Sequence, residues 1–320
     1  MIDTAGQLPR PGRAALPALT TAALVACGLW PATTGAYCRL TTDRPLAERS
    51  VSQCPEGGSP LSWQRACISY SVVERSKQVP SLSELRDTVD RSFQTWSQVE
   101  CEDGPLDLDL RQTEGLSECG SPEHAPRDKN TNSIIFVEDW TERGLPAEAF
   151  GLTLIFHSPE SGQIFDADMQ INETMGELSI CDGPCPEGQF DLQNVVTHEA
   201  GHFLGLGHTP VPTAAMHGEA ELGEIRKRFL TSDDVAGICE TFGAGEQHLA
   251  CKAVDYAPIG GFTARCFDAD SCAVLAPGAE GSAARSPLGL RPGLLLALAA
   301  LTWRAAGGRR WRRWRRRRRR

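Results

Sequence analysis

The sequence predicts an α/β (α+β) fold: one mixed β-sheet, a helix that carries a metal site, and a closing C-terminal helix. Three observations predict it. Alternating, β-prone runs recur between residues 63 and 171. Two capping patterns, Ser81-Leu82-Ser83-Glu84 and Thr231-Ser232-Asp233-Asp234, open segments with apolar residues at helical spacing. Between them, residues 197–216 read THEAGHFLGLGHTPVPTAAM, with three histidines, a glutamate, a glycine and a methionine at fixed intervals.

Trp63 opens the first β-prone segment, residues 67–73, and Pro80 closes it. Leu82, Leu85, Val89, Phe93 and Trp96 then define a helix over about residues 82–99. Residues 106–110, LDLDL, alternate strictly and read as a strand with one buried face. Residues 119–132 are polar, with Pro and Gly, and read as a loop. Residues 133–137 and 151–156 are apolar runs of strand length, and residues 164–171 form a fifth strand after the Ser161-Gly162 turn. Asp191 caps a helix through Val195, Val196, His198, Glu199 and His202 that ends at Gly205. The last helix starts at Thr231 and ends near Gly243. Strands and helices around one sheet argue for a single catalytic domain.

His198 and His202 are four residues apart, so on a helix both imidazoles share one face, about right for two bonds to one metal ion. A third ligand farther along a straight helix would overshoot. Gly205 can take the positive φ that ends a helix sharply and returns His208 to the same ion. Imidazole favours zinc, and three neutral ligands leave one open position where a zinc-bound water has a pKa near 7. Glu199 is off the line of His198 and His202 and is read as the general base beside that water. Met216, eight residues past His208, has no proton chemistry and reads as an apolar floor.

The formal charge of −9 averages unlike parts. Residues 304–320 hold 11 arginines, whereas residues 37–272 carry 17 basic and 39 acidic residues, a formal −22. An acidic body of this kind excludes nucleic acid as a partner. Arg10 and Arg13 precede an apolar run, residues 14–30, in the manner of an export signal. Cleavage after Ala36 gives a mature start at Tyr37, and a lipobox-like Leu24-Val25-Ala26-Cys27 offers lipidation at Cys27 as the alternative. Pro17 and Pro31 interrupt the run, which argues against a membrane span. Cys272, a short apolar run at 293–301 and the arginines resemble the C-terminal sorting tails called MYXO-CTERM, found on exported bacterial surface proteins. That resemblance implies removal of the tail and surface attachment near the cysteine. Twelve cysteines in an exported chain suggest disulfides, and setting aside Cys27 and Cys272 leaves an even ten.

HEAGHFLGLGH and the later Met216 fit the signature of the metzincin zinc proteases, and the chain resembles the matrixins within that clan. The step from His208 to Met216, the segment 230–238 and Phe93-Gln94-Thr95-Trp96-Ser97 carry the likeness, which extends over residues 63–243. The resemblance implies a zincin-like fold with a twisted five-stranded mixed sheet. It implies zinc ligands His198, His202 and His208, general base Glu199 and Met-turn residue Met216. It also implies a peptide laid along the edge strand, residues 151–156.

Several positions depart from the matrixin pattern. Asp168 stands where a ligand histidine of a second, structural zinc is expected, so His157 is read as a loop or surface residue. Asp166 and Asp168 are candidate calcium ligands, or else solvated turn acids. Cys119 is read as a disulfide cysteine with Cys101 as a candidate partner, and not as a latency switch. His217 reads as a variable loop residue, and His124 and His248 as exposed.

The reading is an exported zinc endopeptidase, secreted or cell-surface, acting on protein or peptide substrates. The chain is expected to be a monomer and to meet a membrane only through its tail or a lipid. Its expected layout is a signal at 1–36, a short extension at 37–62, the protease domain at 63–243, a Cys-containing extension at 244–272, and a linker with sorting tail at 273–320. The competing class is a zinc-stabilised peptide-binding module that does not cut.

Overall fold

The structure is a computed structural model describing residues 36–43, 54, 56–73, 76–79, 81–114, 117, 120–125, 130–243, 251–256 and 304–305. The main strands are β1 (Cys67–Val72), β2 (Asp109–Gln112), β3 (Ser133–Val137), β4 (Gly151–His157) and β5 (Gln163–Asn172). The helices are α1 (Leu82–Ser97), α2 (Leu192–Phe203) and α3 (Ser232–Phe242). No helix among the described residues is long and apolar enough to cross a membrane.

The sheet runs β2-β1-β3-β5-β4, parallel except for β4, which pairs antiparallel with β5. A two-residue strand, Ser62–Trp63, adds a sixth member alongside the start of β5. The α+β architecture with a mixed sheet is therefore as expected, with one strand more than the resemblance implied. Parallel neighbours need crossovers that cover the faces, which explains why β1 and β3 are buried at every position. Among the described residues β4 pairs with β5 alone and forms the sheet edge.

α1 lays Leu85, Val89, Phe93 and Trp96 against α2, as the periodicity of its sequence requires. Phe93 stacks on Tyr70 at 3.8 Å and meets Phe203 edge-on at 5.2 Å. Two indoles pin the backbone of α2: Trp96 Nε1 donates to Thr197 O and Trp63 Nε1 to Phe203 O, each at 2.8 Å. The expected strand at 106–110 forms a ladder only from Asp109, although Leu106, Leu108 and Leu110 do turn to the core.

The extensions pack on the domain. Cys38–Arg39 pairs antiparallel with Leu206–Gly207, directly before His208. Among the described residues the disulfides are Cys38–Cys54, Cys67–Cys251, Cys101–Cys239 and Cys181–Cys185. The candidate pairing of Cys101 with Cys119 is thus overturned, because Cys101 follows α1 and lies against α3, where Cys239 presents its sulfur. Cys27, Cys119, Cys266 and Cys272 lie outside the described residues, as do His248 and all of the export signal and sorting tail but residues 36 and 304–305. Cys251 brings Tyr256 onto the sheet, where its hydroxyl donates to Asp109 Oδ2 at 2.6 Å.

Candidate active site

α2 begins at Asp191, whose carboxylate accepts from Asn194 N at 2.8 Å and pairs with both Nε and Nη2 of Arg228. About two turns later comes His198, and one turn after it His202, both fully buried. His198 Nδ1 lies 2.6 Å from Ala215 O and His202 Nδ1 2.7 Å from Leu206 O. Carbonyl oxygens only accept, so these contacts place the protons on Nδ1 and leave the Nε2 lone pairs bare.

Those bare nitrogens converge. His198 Nε2 stands 3.1 Å from His202 Nε2 and 3.2 Å from His208 Nε2. Lone pairs at that range repel unless a cation lies among them. Two nitrogens bonded to one zinc at about 2.0–2.1 Å and the tetrahedral angle stand about 3.4 Å apart. The donor set therefore fits zinc, and among the described residues this is the one all-histidine group able to hold a metal. The other cluster, Cys181, Cys185 and Asp191, has its sulfurs tied in a disulfide.

His208 reaches the group because the chain reverses at Gly205, where φ is +94°. A Cβ there would lie 2.4 Å from Leu61 O, so both the conformation and the space demand glycine. Burial pushes the pKa of each histidine down, His202 to about 3, which keeps them in the neutral form a metal needs.

Glu199 is 2 % exposed and points to β4. Thr153 Oγ1 donates to its Oε2 at 2.8 Å. Gly151, on the same face of β4, leaves the room Glu199 occupies, since a Cβ there would sit 2.8 Å from Oε1. Burial raises the Glu199 carboxyl to about 8, while the Thr153 hydroxyl pulls the other way.

Met216 lies under α2: an ideal Cβ on Gly201 would stand 2.2 Å from its sulfur. The Met216 turn is held from two sides. Asp234 accepts from Ala215 N at 2.9 Å and Met216 N at 3.0 Å, and from Thr231 N at the start of α3. Lys227, fully buried, donates from Nζ to the oxygens of Ala215 and His217, and its own N–H donates to Asn194 Oδ1. Burial lowers its ammonium to about 7.

The structure thus brings together every residue the sequence singled out at the centre: His198, His202, His208, Glu199 and Met216. His217 stays outside the metal-binding group, its Nδ1 3.3 Å from Thr209 O, and His157 is a part-buried residue ending β4. Two expectations fail. Asp166 and Asp168 are not solvated turn acids: both sit on β5 and are fully buried. The Asp168 carboxylate takes backbone N–H bonds from Ser133 and Glu123 at 2.7 and 2.9 Å, so it ties the loop before β3 to the sheet. His124 is not exposed either; it stacks on Phe156 and Phe165, with its side chain 12 % accessible and Nδ1 3.8 Å from Asp166. Sequence reasoning missed Thr153, Lys227 and the second role of Asp234. Parity along β4 puts Thr153 on the face of Gly151, which was a usable signal. Arg226-Lys227-Arg228 reads as a solvated basic run, and nothing in it marks the middle residue as buried.

Comparison with known proteins matches residues 62–243 to the family described as Matrixin. The chain is 26% identical over 242 residues to Metalloendoproteinase 1-MMP of Arabidopsis thaliana, covering 74% of this chain and 57% of that protein. It is 29% identical over 184 residues to Matrix metalloproteinase-16 of Homo sapiens, covering 57% of this chain and 27% of that one. With Matrilysin of Rattus norvegicus it shares 45% identity over 49 residues, 15% of this chain and 18% of that one. The chain spans little more than half the length of the plant relative and about a quarter or less of the other two.

Proposed function

The chain belongs to the matrixin family, and we propose that it is an exported zinc-dependent endopeptidase in which His198, His202 and His208 hold the metal and Glu199 is the general base. The observation that carries this reading is the convergence of the Nε2 atoms of three histidines beside a buried carboxylate fixed by Thr153. Zinc bound there supplies a Lewis acid that activates water and polarises a carbonyl.

The protein's own groups do the rest. Glu199 takes a proton from the attacking water and returns it to the leaving amine, its carboxylate held in place by the Thr153 hydroxyl. β4 offers the backbone groups of a free sheet edge, onto which an extended peptide adds as a further strand. Met216, held by Asp234 and Lys227, floors the histidines. Four disulfides among the described residues, the apolar run at 14–30 and the tail from Cys272 support export to the surface or medium. The layout proposed is a signal at 1–36, a protease domain at 63–243 with extensions on either side, and a sorting tail from 273.

Glu199→Gln tests the assignment. The variant is expected to keep its zinc and lose nearly all peptide hydrolysis. Turnover within about tenfold of wild type would remove Glu199 as the base.

A further inference from the structure

Each of the two helix-borne histidines is aimed by a backbone carbonyl, and the two carbonyls are held differently. Leu206 O, the acceptor for His202 Nδ1, belongs to the short strand Leu206–Gly207 that pairs with Cys38–Arg39. Ala215 O, the acceptor for His198 Nδ1, lies in a turn. A turn has no ladder to fix the direction of its peptide planes, so side chains must do it.

Two side chains clamp the plane between Ala215 and Met216. Asp234 Oδ1 accepts from Met216 N at 3.0 Å, and Lys227 Nζ donates to Ala215 O at 3.3 Å. The N–H and C=O of one peptide unit point opposite ways, so contacts at both ends stop the plane from rotating. The oxygen has two lone pairs and can serve His198 and Lys227 at once. The same Nζ donates to His217 O, the next carbonyl but one. Lys227 is itself tied to the helix that carries His198. Its N–H donates to Asn194 Oδ1 at 2.7 Å, and the neighbouring Arg228 pairs with Asp191. Asn194 stands four residues before His198, on the same face of α2. An amine buried this fully is costly unless its N–H groups are used, and a methionine would fill similar space without that cost. Its use is the pair of turn carbonyls, which an amine can serve whether or not it carries a charge.

We propose that Lys227 is a positioning residue for the metal centre, acting on His198 through the Ala215 carbonyl that the two side chains share. The proposal rests on the assignment of His198, His202 and His208 as the zinc ligands. With the carbonyl fixed, His198 keeps its proton on Nδ1 and its ring direction, so Nε2 stays aimed at the other two histidines. Without Lys227 the turn carbonyl can swing, and ordering His198 then counts against metal binding.

The test is the zinc dissociation constant of the full chain, made under oxidising conditions and measured against a competing chelator, for wild type and Lys227→Met. Cobalt-substituted samples give the visible spectrum at saturation. The variant is expected to bind zinc about ten- to a hundredfold more weakly, to shift the cobalt ligand-field bands, and to lower kcat by a larger factor than it raises KM. A lysine that only supports the fold would lower the Tm of the metal-free chain and leave both metal readouts alone. A zinc Kd within about threefold of wild type with an unchanged cobalt spectrum therefore overturns the proposal and leaves the zinc site standing. Should Lys227→Met not fold, Lys227→Gln, whose amide nitrogen is one atom nearer the backbone and falls short of the carbonyls, is judged by the same two readouts. A wild-type chain that binds no zinc overturns the ligand assignment and this proposal with it.

Discussion

Gly201 lies in α2 between two histidines, and its replacement by alanine separates two opposing effects. In a helix interior, Gly→Ala alone is worth about 1 kcal/mol in favour of alanine. Here the added Cβ would stand 2.2 Å from Met216 Sδ, 3.1 Å from Met216 Cε and 2.8 Å from Trp96 Cζ2. Neither neighbour yields freely. Trp96 is fully buried with Nε1 bonded to Thr197 O, and the Met216 backbone is held by Asp234. Overpacking of this kind costs about 1–3 kcal/mol. The sum is a net loss of up to about 2 kcal/mol, with Tm falling about 2–4 °C for each kcal/mol in a domain of this size. Thermal and urea unfolding measure it, and a Met216→Ala background isolates the cause. With the sulfur gone, the cost of Gly201→Ala should shrink to the part set by Trp96 Cζ2, a coupling that a distant pair would not show. A Gly201→Ala protein more stable than wild type, with Met216 present, would refute the packing beneath the metal site.

Gly151→Ala places a Cβ 2.8 Å from Glu199 Oε1 and should lower kcat by tenfold or more while zinc content stays at wild-type level. The Glu199 carboxyl is held at about 8 by burial, above the ordinary 4.5, so without metal it favours the fold fully below pH 4.5 and loses that contribution as pH rises through 8. Chelator-treated Glu199→Gln should therefore gain stability relative to wild type as pH climbs across that window, read by urea unfolding; a flat difference would contradict the buried carboxyl. Cys239→Ser opens a bond that closes 138 residues and should cost up to about 5 kcal/mol, seen as a lower Tm under non-reducing conditions and no change once both proteins are reduced.

The centre of the site was legible because its chemistry is local in sequence. His198, Glu199 and His202 share a helix, Gly205 reverses it, and His208 follows three residues later, so periodicity and one turn rule suffice. The helices α1 and α3 were legible for the same reason, from caps and spacing. What was not legible depends on pairs far apart in the chain. Thr153 meets Glu199 across 46 residues, and Cys101 finds Cys239 across 138. Burial of charge was the other blind spot. Asp166, Asp168 and Lys227 look like solvent-facing residues by type, and only the packed elements around β5 and α2 enclose them.

The most direct test of the central claim is to measure zinc content and peptide-library cleavage in one sample of the chain made under oxidising conditions, with and without a chelator. The account predicts one zinc per chain, cleavage that the chelator abolishes, and recovery when zinc is restored. Zinc bound with no peptide cut, or cleavage that survives removal of the metal, would contradict it.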